Sequence, residues 1–421
     1  MRTILLIIAL IGGCAVKAQT DSLHTYIIAA LQNNPEVKAQ WHAYEAAMEA
    51  VCPAGTLGDP ELSLNFYPKP MTQVNGKQVA SVSLMQMFPW FGAMKAAKNE
   101  KAWQAEAVWQ KYRQGGITLA YEVERQWYQM LVMREKLSFT QRQLALLKDL
   151  EQAALYKYKQ GTMMKGGRMS DQYRLQAEQL KLEDQIATLQ SQLALAQQQF
   201  NLLLHRAPDS PLTLPDSITE QPMPTVEFVQ IEQNSPELQS LRAQGEQAVA
   251  QGEKARKMGL PMVGLGVQYM LNKKRDMLSD GAMADMNGMD MWMGMVKVTL
   301  PIYRHKIKAQ RRAAELMKQT AEENYERKVD VLRGQLLSIQ QRADDARRKI
   351  TLYGRDVDIL AQTLQLMQTE YVAGTTSLSD YIQTQREQLG YAYSRVEAQA
   401  QWNMLVAELE RLASLQDYSE R

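Results

Sequence analysis

Cysteine is almost absent from these 421 residues, with only Cys14 and Cys52 present. With Cys14 removed or lipidated, Cys52 stands alone, so an intrachain disulfide is excluded and stability must come from elsewhere. The four histidines, His24, His42, His205 and His305, are scattered, with no pair at helical spacing and no cysteine partner. That excludes a structural zinc site and a His-Glu-x-x-His motif. Neither charge sign dominates: 48 Lys and Arg stand against 46 Asp and Glu. The balance offers no basic footprint for a nucleic-acid partner. Beyond the first residues no run reaches the ~18 consecutive apolar residues of a membrane-spanning helix. There is no phosphate-binding loop and no Gly-x-Ser-x-Gly elbow. Gly264-x-Gly266 sits inside a strand pattern and lacks the third glycine and the helix of a dinucleotide site. Carboxylate pairs such as Asp344-Asp345 and Glu322-Glu323 fall on polar helix faces. The expectation is a protein that is not an enzyme and needs no cofactor.

Helix is what the chain has in abundance. Only 14 prolines accompany many Ala, Gln, Leu, Glu and Lys. From Val329 to Tyr371 the apolar positions Leu332, Leu336, Ile339, Ala343, Ala346, Ile350, Tyr353, Val357, Leu360, Leu364 and Met367 step by three and four without a slip. Between them lie Arg, Lys, Asp, Glu and Gln, so this is a heptad seam, a rod of roughly 60 Å that must face another helix. It stops at Tyr371-Val372-Ala373-Gly374, and a second helical pattern begins after Ser377.

The chain is written twice. Asn33-Asn34-Pro35-Glu36 returns as Asn234-Ser235-Pro236-Glu237, and Gly58-Asp59-Pro60 as Gly259-Leu260-Pro261. Phe88-Pro89-Trp90 before a long helix is answered by Leu300-Pro301-Ile302, and the turn at Gly161 by that at Gly374. Four correspondences in one order indicate an internal duplication. The expected organisation is a signal peptide over 1–18, a first repeat over 19–207, a Pro-rich linker over 208–224, a second repeat over 225–413 and a tail over 414–421. Each repeat reads as short helices, two strands, a helix of ~60 residues, a Gly-containing tip and a returning helix. Two such hairpins make four long rods.

The strand patterns carry the location. Leu62, Leu64 and Phe66 alternate with Ser63 and Asn65; Val82 and Leu84 with Ser81 and Ser83; Val263, Leu265 and Val267 with Gly264 and Gly266; Val296 and Val298 with Lys297 and Thr299. Segments of ~9–10 residues alternating this way fit strands of a membrane barrel, and the nearby Tyr67, Trp90, Phe91, Tyr269, Trp292 and Tyr303 suit its aromatic girdles. A small soluble sheet packed on helices is the plain alternative. Four strands cannot close a barrel, and lipid does not tolerate open edges, so a spanning sheet must be completed by other chains. Two copies would just close, and three would give twelve strands and a pore.

Three groups of residues are candidate sites. Met291, Met293 and Met295 share by parity the face of Lys297 and Thr299, where thioethers offer soft ligands for Cu(I) or Ag(I); flexible apolar filler is the alternative. Asp171 and Tyr173, and Asp380 and Tyr381, follow the turn glycines Gly161 and Gly374. Around an oligomeric tube they would form rings that gate its end, although Ser170-Asp171 and Ser379-Asp380 also read as helix caps. At the start, Arg2 and the apolar run Ile4–Ile11 form an export signal with two exits: cleavage after Ala18, or a lipobox that would lipidate Cys14.

The order of strand pair, long helix, tip and return helix, written twice behind an export signal, resembles the TolC family of outer-membrane efflux proteins. The residues that match are Asn33-Asn34-Pro35-Glu36, Gly58-Asp59-Pro60, Phe88-Pro89-Trp90-Phe91-Gly92, Tyr158-Lys159-Gln160-Gly161, Asn234-Ser235-Pro236-Glu237, Leu300-Pro301-Ile302 and Tyr371-Val372-Ala373-Gly374. The resemblance implies a mainly α fold with a small β part. Long antiparallel helical hairpins would form an α-barrel, and four strands per chain would contribute to a twelve-stranded transmembrane β-barrel in a homotrimer. It further implies an outer-membrane location reaching into the periplasm, and docking at the tips with a periplasmic adaptor and an inner-membrane pump. The family gate maps onto Asp171 and Asp380, while the first tip is about four residues longer than the second. The methionine-bearing second loop is similar to that of the heavy-metal branch. A type I protein-secretion channel and a soluble periplasmic coiled-coil scaffold are the competing expectations.

Overall fold

The computed structural model describes residues 23–73, 76–160, 169–275, 287–373 and 375–415. The export signal with Cys14, the tip glycines Gly161 and Gly374, and Met277, Met283 and Met286 lie outside them. Along the chain run α1 (Leu23–Asn33), α2 (Pro35–Glu49), α3 (Val51–Ala54), β1 (Glu61–Gln73), β2 (Gly76–Phe88), α4 (Ala93–Gln160) and α5 (Met169–Leu203). The order then repeats with α6 (Phe228–Asn234), α7 (Pro236–Met258), β3 (Met262–Lys273), β4 (Met291–Thr299), α8 (Arg304–Ala373) and α9 (Leu378–Ala413). Two compact units form. One gathers Met1–Lys38, Gly116–Val226 and Gln335–Arg421, the other Ala39–Gly115 and Glu227–Gly334.

In the first unit the seam forecast for α8 is its buried stripe. Leu336, Ile339, Ala343, Ala346, Leu364 and Tyr371 are all buried there. The partner is α9, as the alternating pattern requires. The Arg342 guanidinium donates to Glu408 over 2.9 Å, and the rings of Tyr353 and Tyr391 stand 5.9 Å apart. One apolar cluster joins all four long helices through Leu147, Leu150, Leu175, Leu182, Leu364, Leu378 and Ile382. A second is built on Tyr26, Trp127 and Phe200, whose rings meet at 5.4–5.9 Å. A closed triangle of three aromatics supplies large buried area at fixed geometry, which suits a point where α1, α4 and α5 must meet.

Gln385, which breaks the apolar pattern of α9, turns out to be buried. It donates from Nε2 to Oε1 of Gln143 on α4 over 2.6 Å, and Gln143 in turn donates to Gln388 over 2.9 Å. Thr140 and Tyr393 share a hydrogen bond, and Gln185 of α5 donates to the same phenol oxygen over 3.1 Å. A satisfied polar layer of this kind pins the register of otherwise slippery helices, because a slip of one turn would leave each amide unpaired. The Pro-rich stretch over 208–224 contains no helix or strand and is clamped to this unit. Asn201 Nδ2 donates to the carbonyls of Pro208 and Ser210 over 2.8 and 2.9 Å. Asn403 accepts from the backbone N–H of Gln221 over 2.9 Å and donates to Thr219 O over 2.8 Å, while Trp402 Nε1 donates to Gln221 O over 2.8 Å. Leu214 and Ile218 enter the apolar core.

The second unit holds the sheet, with order β1-β2-β3-β4 and every pair antiparallel. Three strands are longer than the forecast ~9–10 residues, at 13, 13 and 12. Pro68 and Pro70 fall inside β1, and the register shifts between Phe66 and Met71. Proline has no N–H to give a ladder, so it is tolerated here because β1 is an edge strand carrying a bulge. Beside the sheet, α4 and α7 pack through small residues, with Ala97, Ala105, Ala243 and Ala248 buried. Lys254 Nζ donates to Glu100 over 2.7 Å and Arg113 to Gln239 over 3.2 Å. Where α2 crosses α4, each of the rings of Trp41, Tyr44, Trp109 and Tyr112 lies within 6.3 Å of at least two of the others.

Candidate functional site

Register decides what each face of the sheet presents. Because Leu64 pairs with Val82, Val82 with Tyr269 and Tyr269 with Trp292, these residues share one face with Leu62, Phe66, Leu84, Val267, Val296 and Val298. Apart from Gln86, which pairs with Leu265, that face is apolar, and most of it is exposed: Phe66 retains 75% of its accessible area, Trp292 73% and Val296 72%. No soluble sheet leaves such a patch open, since a monomer's largest apolar patch is a few hundred Å² and marks an interaction site. Phe91, Ile302 and Tyr303 just beyond the strand ends are also exposed. The opposite face carries Ser63, Asn65, Ser81, Ser83, Gln268, Lys297 and Thr299. Among the described residues both outer strands keep an unpaired edge, one on β1 and one on β4. An open-edged sheet with one predominantly apolar face can enter lipid only when the edges are paired by further strands. Among the described residues no helix is long and apolar enough to cross a membrane.

Met291, Met293 and Met295 lie in the first half of β4, not in the connection before it, and share the polar face with Lys297 as parity foretold. They pair with Met270, Gln268 and Gly266 in turn. Among the described residues no group of three or more His, Cys, Asp or Glu is placed to hold a metal ion.

At the second tip the end of α8 and the start of α9 are closed by hydrogen bonds. The Thr375 N–H returns to the Glu370 carbonyl over 3.0 Å, a six-to-one bond that ends α8. The cap of α9 is Ser377 and not Ser379: its hydroxyl accepts from the Asp380 N–H over 3.2 Å. Asp380 is therefore the third helical residue, exposed, with its charge at the favourable end of the helix dipole. Asp171 is half-buried in the first turn of α5 and Tyr173 is exposed beside it. Burial, and after it the Asp171 charge, push the Tyr371 phenol up. Tyr381 is buried in the helical core with Tyr371, so of the four predicted gate side chains only Asp171, Tyr173 and Asp380 remain accessible.

Two features of the first unit escaped the sequence reading. Glu178 of α5 is buried and receives both Nε, over 2.8 Å, and Nη2 of Arg386 from α9. That fork holds the Glu178 carboxyl below the usual range and ties two hairpins together near their tips. The seam helices also carry a second apolar stripe. Leu352, Ile359 and Leu366, seven residues apart on α8, are exposed, and so are Tyr173, Leu180, Leu195 and Leu202 on α5. The sevenfold step of Leu352, Ile359 and Leu366 was legible in the sequence, but the polar residues around it concealed it.

Residues 228–414 match the family described as Outer membrane efflux protein. No curated protein matches the chain. Among solved structures, the outer-membrane protein VceC of Vibrio cholerae is similar at 15% identity and a TM-score of 0.74, covering 93% of this chain and 96% of that one. The open-state MtrE outer-membrane channel of Neisseria gonorrhoeae gives 16% identity and 0.73, over 93% and 88%. The CmeC outer-membrane channel of Campylobacter jejuni gives 16% and 0.70, over 95% and 87%. At these identities the likeness establishes the fold.

Proposed function

We propose that this chain is the passive outer-membrane exit duct of an efflux pump, a reading supported by the match of residues 228–414 to the outer membrane efflux protein family. The observation that carries the reading is the open-edged antiparallel sheet with its exposed apolar face. Lipid covers that face, and the edges of β1 and β4 pair between copies. Three copies give twelve strands with the polar face turned to a water-filled lumen. The pairing is heterologous, β1 of one protomer against β4 of the next, which closes into a ring if the rotation per copy is one third of a turn.

The same logic applies to the helices. The uncovered stripe of α8 packs on the uncovered stripe of α5 in the neighbouring protomer, continuing the heptad packing found inside each chain. Asp171 and Asp380 then become rings of carboxylates at the periplasmic end, close in sequence to Gly161 and Gly374, and act as the gate. The tips dock with a periplasmic adaptor, and an inner-membrane pump supplies the energy. Cys14 lipidation or cleavage after Ala18 sets how the exported chain is anchored.

Outer-membrane fractionation tests this. The account expects the protein in the outer-membrane fraction, released only by detergent as a heat-sensitive oligomer, and expects its deletion to sensitise cells to copper, silver, dyes or antibiotics. A protein freely soluble after lysis would instead favour a periplasmic scaffold. Unchanged tolerance to every compound with normal membrane insertion would favour protein secretion.

A further inference from the structure

Hydrophobicity alone would sort methionine with Leu and Val, yet every methionine of β2, β3 and β4 stands on the polar face of the sheet. Apart from Ala80, Gln86 and Gly294, the opposite face of these strands is built from Val, Leu, Phe, Tyr and Trp instead. The sorting argues against filler, since flexible apolar side chains facing water gain nothing from burial.

The sulfurs are also gathered, and two glycines are the reason. Gly264 and Gly266 of β3 lie on the methionine face, opposite Met87 and Met85 of β2 and opposite Lys297 and Met295 of β4. With no side chain on β3 at these positions, the thioethers of β2 fold over its backbone. A Cβ on Gly264 would stand 2.5 Å from Met87 Sδ, 3.5 Å from Met85 Sδ and 3.3 Å from Lys297 Cβ. A Cβ on Gly266 would meet the Leu84 carbonyl at 2.9 Å. Both sulfurs therefore share one hollow with a glycine floor, and Met295 borders it from the other side at a strand spacing of about 5 Å from Gly266.

We propose that Met85 and Met87, with Met295 as a third ligand, form a binding site for a soft monovalent cation, Cu(I) or Ag(I). Two or three thioethers are the donor set such ions prefer, whereas hard cations would choose the oxygens of Ser81 and Ser83. The site is built within one protomer and deepens the channel reading only in its location, since a lumenal site for cargo rests on that reading. Lys297 at the rim opposes a positive ion and keeps the site weak, as a transit site must be to release its cargo. Met291 and Met293 continue the same face toward the strand start and are auxiliary contacts.

Silver(I), which needs no reductant, is the probe. Equilibrium dialysis against the purified full-length protein in detergent is expected to give one saturable, reversibly bound silver per protomer. The double variant Met85→Leu/Met87→Leu keeps the apolar volume and is expected to lose at least tenfold in affinity, and Met295→Leu to lose less. Gly264→Ala, which fills the floor without removing a sulfur, is expected to weaken binding, and Lys297→Gln to strengthen it. Unchanged binding by the double variant overturns the site, as does its retention alongside loss in a Met277→Leu/Met283→Leu/Met286→Leu variant. Oligomeric state and bilayer conductance are read on the same preparations. Conducting protein that binds no silver overturns the site alone, while silver held by a non-conducting monomer supports the site and removes the channel.

Discussion

Replacing Ile359 and Leu366 with aspartate is expected to abolish the oligomer, leaving monomers that are degraded in the periplasm and absent from the outer membrane. Both side chains lie on the outer stripe of α8, exposed at 60% and 64% in one chain, so neither supports the protomer's own core. A carboxylate there costs an isolated chain little, because it stays in water. In the proposed trimeric ring the same stripe would face α5 of the next copy, and two unpaired charges would be desolvated at each of three interfaces. The penalty for an unpaired buried charge is several kcal/mol, enough to dissociate an assembly held by such a seam. Leucine at Ile359 is the control and should leave the oligomer intact. Crosslinking followed by native electrophoresis reads the result. An oligomer that survives both aspartates would mean that α8 does not face a second copy.

Glu124 carries the second prediction, which concerns pH. Burial first, and then the neighbouring Glu410 carboxylate, push the Glu124 carboxyl up to about 7. It borders a cavity of about 260 Å³ shared with His24, Tyr128 and Asn403. Burial, with the Glu124 and Glu410 charges behind it, likewise raises the Tyr128 phenol. Because the folded-state value lies above the unfolded 4.5, the folded protein holds the proton more tightly. Stability from this group is full below about pH 4.5, falls as the pH rises toward 7 and is flat above that. Glu124→Gln removes the titration. The variant should match the wild type near pH 4.5 and exceed it at pH 8 by about 3 kcal/mol, given 1.36 kcal/mol per pH unit. Thermal unfolding of the detergent-solubilised protein across that range is the measurement. Parallel pH profiles for the two proteins would show that Glu124 stays charged in the fold.

The long helices were legible because their code is redundant. Thirteen seam positions in one register outvote any single misplaced residue, and the α8 stripe lies where its pattern put it. The alternation in the strands was equally clear, since Leu, Val and Phe against Ser and Gly leaves only one face for lipid. What escaped were features whose meaning depends on a distant partner. Gln385 reads as a flaw in a stripe until Gln143, 242 residues away, is seen to receive it. Glu178 looks like a solvated helix charge until Arg386 closes on it. Tyr381 reads as a gate residue from its place after a turn, but the local sequence does not say which way a tip residue faces. The glycine floor under Met85 and Met87 was hidden for the same reason, because cross-strand register is not written in either strand alone.

The claim on which everything else depends is that copies of this chain close a water-filled pore. Purified protein added to a planar lipid bilayer measures that directly. The account predicts discrete conductance steps of uniform size from an oligomer of three protomers, with larger steps when Asp171 and Asp380 are replaced by alanine. A pure, folded oligomer that inserts and never conducts, even with both carboxylates removed, would contradict it.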